Sequence, residues 1–145
     1  MFIKQISVFL ENTTGALCEV AQMLGRGGIN IMAISLADTQ NFGIVRMIVA
    51  EPQVDRAVSL LRGAAYTCRV NSVICVVVED QPNGLGELLG IIEEAKLSVE
   101  YMYSFFHSTG NNALIILRMS DQERAVQCLL DGGVRIMTQQ EVDAL

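Results

Sequence analysis

An internal repeat is the feature of the sequence that most constrains the fold. When the 145-residue chain is shifted by 68 residues along itself, its two halves align without a gap and ten positions are identical. Ile6 meets Ile74 and Glu19 meets Glu87, and apolar positions coincide along the whole alignment. We therefore predict two small domains of one fold, residues 1–71 and residues 72–145, each with a limited core of its own.

Each repeat shows the same order of strands and helices. In the first repeat, alternating apolar residues predict a strand over 3–10, and helical spacing after Gly15 predicts a helix that ends at the glycines between 25 and 28. Strands over 29–36, 44–50 and 66–70 follow, with a second helix that begins near Pro52. The order βαββαβ predicts an α+β, ferredoxin-like domain with two helices on one face of an antiparallel sheet.

The second repeat copies this order. It has predicted strands over 73–78, 97–106, 113–119 and 134–138, and Ser120 with Glu123 predicts a capping box at its second helix. The strands over 73–78 and 97–106 are apolar on both faces, so we expect both faces to be covered. The cover can come from the other domain or from a second chain, and we expect a homodimer.

Charge and hydropathy exclude several classes of partner. Ten Lys and Arg against sixteen Asp and Glu give a net charge of −6, which is unfavourable for binding nucleic acid. The RNA-recognition module shares the βαββαβ order, but it requires a basic surface with exposed aromatic residues. No apolar run approaches the roughly 20 residues of a membrane-spanning helix. The N-terminus lacks the features of a signal peptide, so we expect a cytoplasmic protein.

The turn after the first predicted strand resembles that of a known family. The run Glu11-Asn12-Thr13-Thr14-Gly15-Ala16-Leu17, followed after the helix by Gly28-Ile29-Asn30-Ile31, resembles the ACT domain. The resemblance covers the whole chain as two tandem copies, and Thr14 stands where the family often has Pro. The second copy reads Glu79-Asp80-Gln81-Pro82-Asn83-Gly84-Leu85, with its glycine one place late, and has Lys96-Leu97-Ser98-Val99 in place of Gly-Ile-Asn-Ile.

This resemblance implies a function. ACT domains bind amino acids and regulate amino-acid metabolism, with the ligand between the turn of one domain and the second strand of its neighbour. It therefore implies a non-catalytic sensor of a free amino acid, without cofactor or metal, that acts in trans on an enzyme of amino-acid metabolism. The ligand-binding residues implied in the first repeat are Asn12, Thr13, Thr14, Gly15, Ala16, Leu17, Asn30 and Ile31. Those implied in the second repeat are Asp80, Asn83, Gly84, Leu85, Ser98 and Val99.

The chemistry of the turn supports a ligand independently. A helix N-terminus offers unpaired N–H groups and the positive end of a dipole, which suit a carboxylate. Gly15 has no side chain, so a ligand can approach its backbone closely. The Asn12 amide both donates and accepts hydrogen bonds, whereas the Asp80 carboxylate only accepts and would prefer an ammonium group. Both side chains could instead cap their helices.

Other interpretations have less support in the sequence. His107 is the one histidine, and no catalytic or metal-binding constellation can be built around it. The glycines between 84 and 90 imitate a dinucleotide fingerprint, but Glu79 and Asp80 would repel a pyrophosphate. The four cysteines form no Cys-x-x-Cys pair and are expected to be buried as small apolar residues. The main alternative to a sensor is a ligand-free dimerisation or docking module for a metabolic enzyme.

Overall fold

The computed structural model describes residues 1–11, 13–38, 42–107 and 109–145. They divide into two compact units, a first unit of Lys4–Asn71 and a second unit of Ser72–Leu145 with Met1–Ile3. In chain order the elements are β1 (Ile3–Glu11), α1 (Ala16–Arg26), β2 (Ala33–Asp38), β3 (Phe42–Ile48), α2 (Glu51–Gly63), β4 (Thr67–Glu79), α3 (Gly84–Glu94), β5 (Val99–Ser104), β6 (Asn112–Met119), α4 (Gln122–Asp131), β7 (Arg135–Ile136) and α5 (Gln139–Asp143).

In the first unit, both helices pack on one face of an antiparallel sheet. Strand β3 lies between β1 and β2 and is antiparallel to both. One core joins the sheet to the helices, because Ile6 and Val8 of β1 cluster with Leu24 of α1 and Leu61 of α2, all of them buried. Burying such side chains is the main favourable contribution to folding of a domain of this size.

The second unit repeats this arrangement. Strand β6 lies between β4 and β5, and the short β7 pairs with β4. Ile74 and Val76 of β4 cluster with Leu88 of α3 and Leu129 of α4, and Phe2 from the N-terminus packs against the same core. The predicted α+β class with ferredoxin-like βαββαβ units is confirmed.

The sequence alignment suggested a repeat without gaps, but the structural repeat contains a local offset. Ile6 pairs with Met47 in the first unit, whereas Ile74 pairs with Leu117 in the second, so the third strands correspond at a shift of 70 residues. The helix positions that follow, such as Leu61 and Leu129, are again 68 apart. The turn before β6 is therefore two residues longer than the turn before β3, and the next connection is two residues shorter. The identity of Ile48 with Ile116 does not mark equivalent positions.

Several predicted element boundaries were wrong: the strand predicted over 44–50 is Phe42–Ile48, the strand predicted over 97–106 is Val99–Ser104, and three further differences are larger. The strands expected over 66–70 and 73–78 form one continuous strand, β4, because no Gly or Pro interrupts the chain between them. Strand β2 begins at Ala33 rather than at residue 29, because the Ile29 N–H still donates to the Leu24 carbonyl at 3.0 Å and completes the end of α1. The strand expected over 134–138 is only β7, and α5 follows it.

The predicted capping box lies at a different helix. At α4 the N-cap is Asp121, whose carboxylate accepts from the Arg124 N–H at 3.2 Å, while Ser120 accepts from the Ser98 N–H. A capping box does occur at α5, where Thr138 accepts from the Glu141 N–H and the Glu141 carboxylate accepts from the Thr138 N–H at 2.8 Å. The same Ser/Thr-x-x-Glu spacing is present at both places, so spacing alone did not identify the helix start.

Burial of the apolar strands is only partly as expected. Ile74, Cys75 and Val76 are buried, as a strand apolar on both faces requires. In contrast, Tyr101, Met102 and Tyr103 of β5 are half-buried, and Phe106 is 68% exposed. Of the four cysteines expected to be buried, only two are: Cys18 is exposed and Cys128 is half-buried.

Candidate functional site

The turn between β1 and α1 is shaped by its own backbone. The Thr13 N–H donates to the Glu11 carbonyl at 2.7 Å, and the Ala16 N–H donates to the Thr13 carbonyl at 3.3 Å. Gly15 has a φ of 87°, a left-handed conformation that favours glycine, and among the described residues no side chain caps the helix there. A Cβ at Gly15 would meet no atom of the described residues within 4 Å, so their packing leaves the start of α1 accessible to a ligand.

Two cavities flank this turn within the first unit. The first-repeat cavity has a volume of about 790 Å³ and is lined by the end of β1, the start of α1, Phe42 and residues 65–67. A smaller one, of about 250 Å³, lies on the side of Leu36, Asp38 and Gly43. The turn lines both, so the predicted residues Thr13, Thr14, Gly15, Ala16 and Leu17 are together at one site. Asn12 lies outside the described residues.

The first-repeat cavity is acidic and aromatic. Glu11 and Glu19 line it together with Phe9, Phe42 and Tyr66. Burial raises the pKa of the Tyr66 hydroxyl, and a hydrogen bond to the Glu19 carboxylate raises it further. Lys, Arg and His are absent from the described lining, so the net charge there favours a cationic group.

Asn30 and Ile31 are not brought to the turn of their own unit. They follow the C-terminal end of α1, whereas Gly15 precedes its N-terminal end. An 11-residue helix is about 16 Å long, which separates the two places. Asn30 is exposed and Ile31 packs against the core of the first unit. A ligand that touches both Asn30 and the turn would need the turn of another domain.

The second repeat reproduces the backbone of the turn with other residues. The Gln81 N–H donates to the Glu79 carbonyl at 2.9 Å, and the Gly84 N–H donates to the Gln81 carbonyl at 3.0 Å. Asn83, with a φ of 65°, takes the left-handed position that Gly15 has in the first repeat. Gly84, which stands one place later than the glycine of the first repeat, therefore has a steric role instead: a Cβ at Gly84 would overlap the Glu79 carbonyl oxygen.

The other second-repeat residues have local roles. Asn83 is the N-cap of α3 without a side-chain hydrogen bond, so the alternative in which Asp80 caps this helix was wrong. The Asp80 N–H donates to the Asn111 carbonyl at 2.7 Å. The backbone N–H of Ser98 donates a hydrogen bond to the Ser120 hydroxyl. Three further predicted residues differ in burial: Gly84 is buried, Leu85 is exposed and Val99 is half-buried.

A second-repeat cavity lies in the position equivalent to the first-repeat cavity but is smaller. It measures about 320 Å³ and is lined by Gly84, Glu87 and Gly133, the counterparts of Ala16, Glu19 and Ala65. The three aromatic residues of the first-repeat cavity are replaced here by Val77, Asn112 and Val134. The two repeats thus share a cavity position but not its lining.

Sequence reasoning missed the aromatic lining. Phe9, Phe42 and Tyr66 belong to three separate elements or connections and form no motif in the sequence. Comparing the repeats shows only that each aromatic residue stands opposite a non-aromatic one, which does not indicate that the three line one cavity. Because of the two-residue offset of the third strands, the sequence alignment places Phe42 opposite Gly110 rather than opposite its structural counterpart Asn112.

Other functional classes gain no support from the described residues. Across 1–11, 13–38, 42–107 and 109–145, no group of three or more His, Cys, Asp or Glu side chains could hold a metal ion. Within the same ranges no helix has the length and apolar character to cross a membrane. His107 is exposed, just beyond β5.

Comparisons with known proteins agree with the fold. A family model described as an ACT domain pair matches residues 1–145. No curated protein matches the sequence. The chain is similar to the solved protein BT0572 from Bacteroides thetaiotaomicron, with 30% identity and a TM-score of 0.89, over 100% of this chain and 98% of that one.

Two more distant structures share the fold. The regulatory subunit of aspartate kinase from Thermus thermophilus is 13% identical, with a TM-score of 0.64, over 89% of this chain and 91% of that one. The aspartate kinase from Synechocystis is 14% identical, with a TM-score of 0.60, over 93% of this chain and 26% of that one.

Proposed function

Because the chain belongs to the family of ACT domain pairs, we propose that it is a non-catalytic regulatory protein that binds a free amino acid. The observation that carries the proposal is the start of α1 at Gly15, which no described side chain caps, with a cavity on each side of the turn. A helix start of this kind suits the carboxylate common to all amino acids.

The proposed site is the turn of residues 12–17. The ligand carboxylate lies at the start of α1, and the Asn12 amide contacts its carboxylate or ammonium group. Asn30 and Ile31 belong to the site when they come from a neighbouring domain. The turn around Asp80, Asn83, Gly84 and Leu85, with Ser98 and Val99, is the corresponding candidate in the second repeat.

We propose that the bound amino acid favours one arrangement of the domains, which an enzyme of amino-acid metabolism recognises in trans. The support is the fold shared with a regulatory subunit of aspartate kinase in Thermus thermophilus. We also propose a cytoplasmic homodimer. Sedimentation velocity at micromolar concentration tests the homodimer, and a monomer there contradicts it.

Thermal unfolding with each of the twenty amino acids at millimolar concentration tests the function. A ligand that binds only the folded protein raises the transition temperature. We expect a shift with at least one amino acid, which Asn12→Ala reduces. Asp80→Ala is the matched variant in the second repeat, and a loss of the shift there instead would move the site to that repeat.

No shift with any of the twenty amino acids would contradict the sensor. The ligand-free docking module would then be the better explanation, and the search would turn to partner proteins.

A further inference from the structure

We infer that the first-repeat cavity selects an amino acid with a large apolar side chain, preferably an aromatic one. This inference rests on the proposed function and adds a ligand class to it. It concerns the side of the turn that faces Phe9, Phe42 and Tyr66, and not the side that faces β2.

The two phenylalanines are arranged as a pair. In the β1–β3 ladder Phe9 is opposite Ile44, and Phe42 is opposite Glu11, so Phe9 and Phe42 are diagonal neighbours on one face of the sheet. Diagonal neighbours are about 7–8 Å apart, with a somewhat shorter Cβ–Cβ distance, which is within reach of aromatic rings. Phe9 is 36% exposed and Phe42 is 46% exposed, so each ring keeps apolar surface that a ligand can cover.

The charges of the cavity fit the other end of an amino acid. Glu19 and Glu11 supply carboxylates without a lining Lys, Arg or His among the described residues, and the Tyr66 hydroxyl faces Glu19. An ammonium group is therefore favoured near Glu19, while the start of α1 at Gly15 favours a carboxylate. An apolar side chain then lies between the two phenylalanine rings.

The second repeat provides the internal comparison. Its cavity retains Glu79 and Glu87, the counterparts of Glu11 and Glu19, but has Arg135 in place of Thr67, and Val77, Asn112 and Val134 in place of the aromatic residues. Its volume is about 320 Å³ against about 790 Å³ in the first repeat. The carboxylates are thus common to both repeats, and the aromatic lining and the larger volume are specific to the first.

The test is calorimetric titration of the full chain with L-phenylalanine, L-leucine, L-alanine and L-aspartate. We expect L-phenylalanine to bind most tightly and L-alanine at least about tenfold more weakly, because a large apolar side chain buries more area. The compound 3-phenylpropanoate, which lacks the ammonium group, should also bind about tenfold more weakly than L-phenylalanine.

Variants locate the effect. Phe42→Ala should weaken L-phenylalanine binding about tenfold, whereas Phe106→Ala, an exposed phenylalanine of the second unit, should leave it unchanged. Glu19→Gln should weaken binding, whereas its counterpart Glu87→Gln should not. Circular dichroism of each variant establishes that it is folded.

The outcomes separate the two proposals. Tight binding of L-alanine or L-aspartate with no effect of Phe42→Ala overturns the ligand class but leaves amino-acid sensing intact. Equal losses from Glu19→Gln and Glu87→Gln overturn the assignment to the first repeat. Absence of binding by any of the twenty amino acids overturns both proposals.

Discussion

The turn of the first repeat and the turn of the second have the same backbone but use glycine for different reasons. In the first, Gly15 supplies a left-handed φ, and no atom of the described residues lies within 4 Å of the position that a Cβ would take there. In the second, Asn83 supplies that φ, and Gly84 supplies room beside the Glu79 carbonyl. Equivalent function of two repeats therefore has to be judged from the turn geometry rather than from the position of a glycine.

The same comparison separates what the repeats share from what they do not. The carboxylates at positions 11 and 19 have counterparts at 79 and 87, and the cavity beside them occurs in both units. Among the described lining residues, the aromatic side chains occur only in the first unit. The proposed ligand class rests on this difference.

The largest expected losses of stability come from substitutions in the hydrophobic cores of the two units. Ile6→Ala and Ile74→Ala each remove a fully buried side chain at equivalent positions. Each should lower the free energy of unfolding by about 3–4 kcal/mol, from lost apolar burial and the cavity left behind. Urea unfolding measures both values.

Met1→Ala is the control, because Met1 is exposed and its substitution should change stability very little. Ile3→Ala is unsuitable as a control, because Ile3 is also fully buried. If one isoleucine variant loses less than about 1 kcal/mol while the other shows the full loss, the two cores are not energetically equivalent.

The next effect distinguishes the packing of the two turns. Gly84→Ala places a Cβ against the Glu79 carbonyl, so the helix start must shift, and we expect a loss of about 2–3 kcal/mol. The reverse change at the equivalent position, Ala16→Gly, should cost only about 0.5–1 kcal/mol of backbone entropy. Thermal unfolding measures the difference, and equal losses would show that the two turns pack alike.

Much of the fold could be predicted from the sequence because the repeat supplied each pattern twice. The apolar stripes of α1 and α3 and the alternation in β1 are local signals, and local signals of this length are reliable. The start of β2 was predicted too early because the Ile29 N–H donates to the Leu24 carbonyl at the end of α1, and hydropathy gives no signal of this hydrogen bond. The helix α5 is five residues long, too short to show a period.

The candidate site was predictable only in part. A glycine after a polar turn indicated the start of α1, and the structure places Thr13–Leu17 together there. The aromatic lining could not be predicted, because Phe9, Phe42 and Tyr66 meet only after the ladder register and the connection before β4 are known. The steric role of Gly84 could not be predicted either, because a single sequence contains no signal of a close contact between backbone atoms.

A smaller effect tests the conformational difference between Gly15 and Asn83. Gly15→Ala adds a Cβ that meets no atom of the described residues within 4 Å, so we expect its cost to come from the left-handed φ and to be about 1–2 kcal/mol. Asn83→Gly relaxes the same conformation but adds backbone entropy to the unfolded chain, so we expect a change within about 0.5 kcal/mol. Denaturant midpoints of the two variants check these values.

A control for this pair is Gly25→Ala, inside α1, where a Cβ would also meet nothing within 4 Å. Since alanine favours a helix interior, that variant should gain stability, by up to about 1 kcal/mol. A gain at Gly15 of the same size would mean that its left-handed conformation carries no strain for alanine.

The smallest expected effect is the change in the pKa of Tyr66 and in the stability of the protein at alkaline pH. Burial and the Glu19 carboxylate raise the pKa of Tyr66 above its ordinary value of 10.0. A raised pKa favours the protonated phenol in the folded state, so this contribution to stability is full below pH 10.0 and is lost as the pH rises through the folded pKa. Glu19→Gln should lower the pKa of Tyr66 while burial still holds it above the ordinary value, and the alkaline loss of stability should shrink.

Absorbance of the phenolate near the red edge of the tyrosine band measures this pKa, in a background where Tyr101 and Tyr103 are changed to Phe. Glu87→Gln is the matched control, because its second-repeat cavity has Val134 where the first has Tyr66. A shift of the Tyr66 pKa in Glu87→Gln as large as in Glu19→Gln would show that the carboxylate acts through the net charge of the chain. A shift only in Glu19→Gln would place the interaction inside the first-repeat cavity, where the ammonium group of a ligand would compete for the same carboxylate.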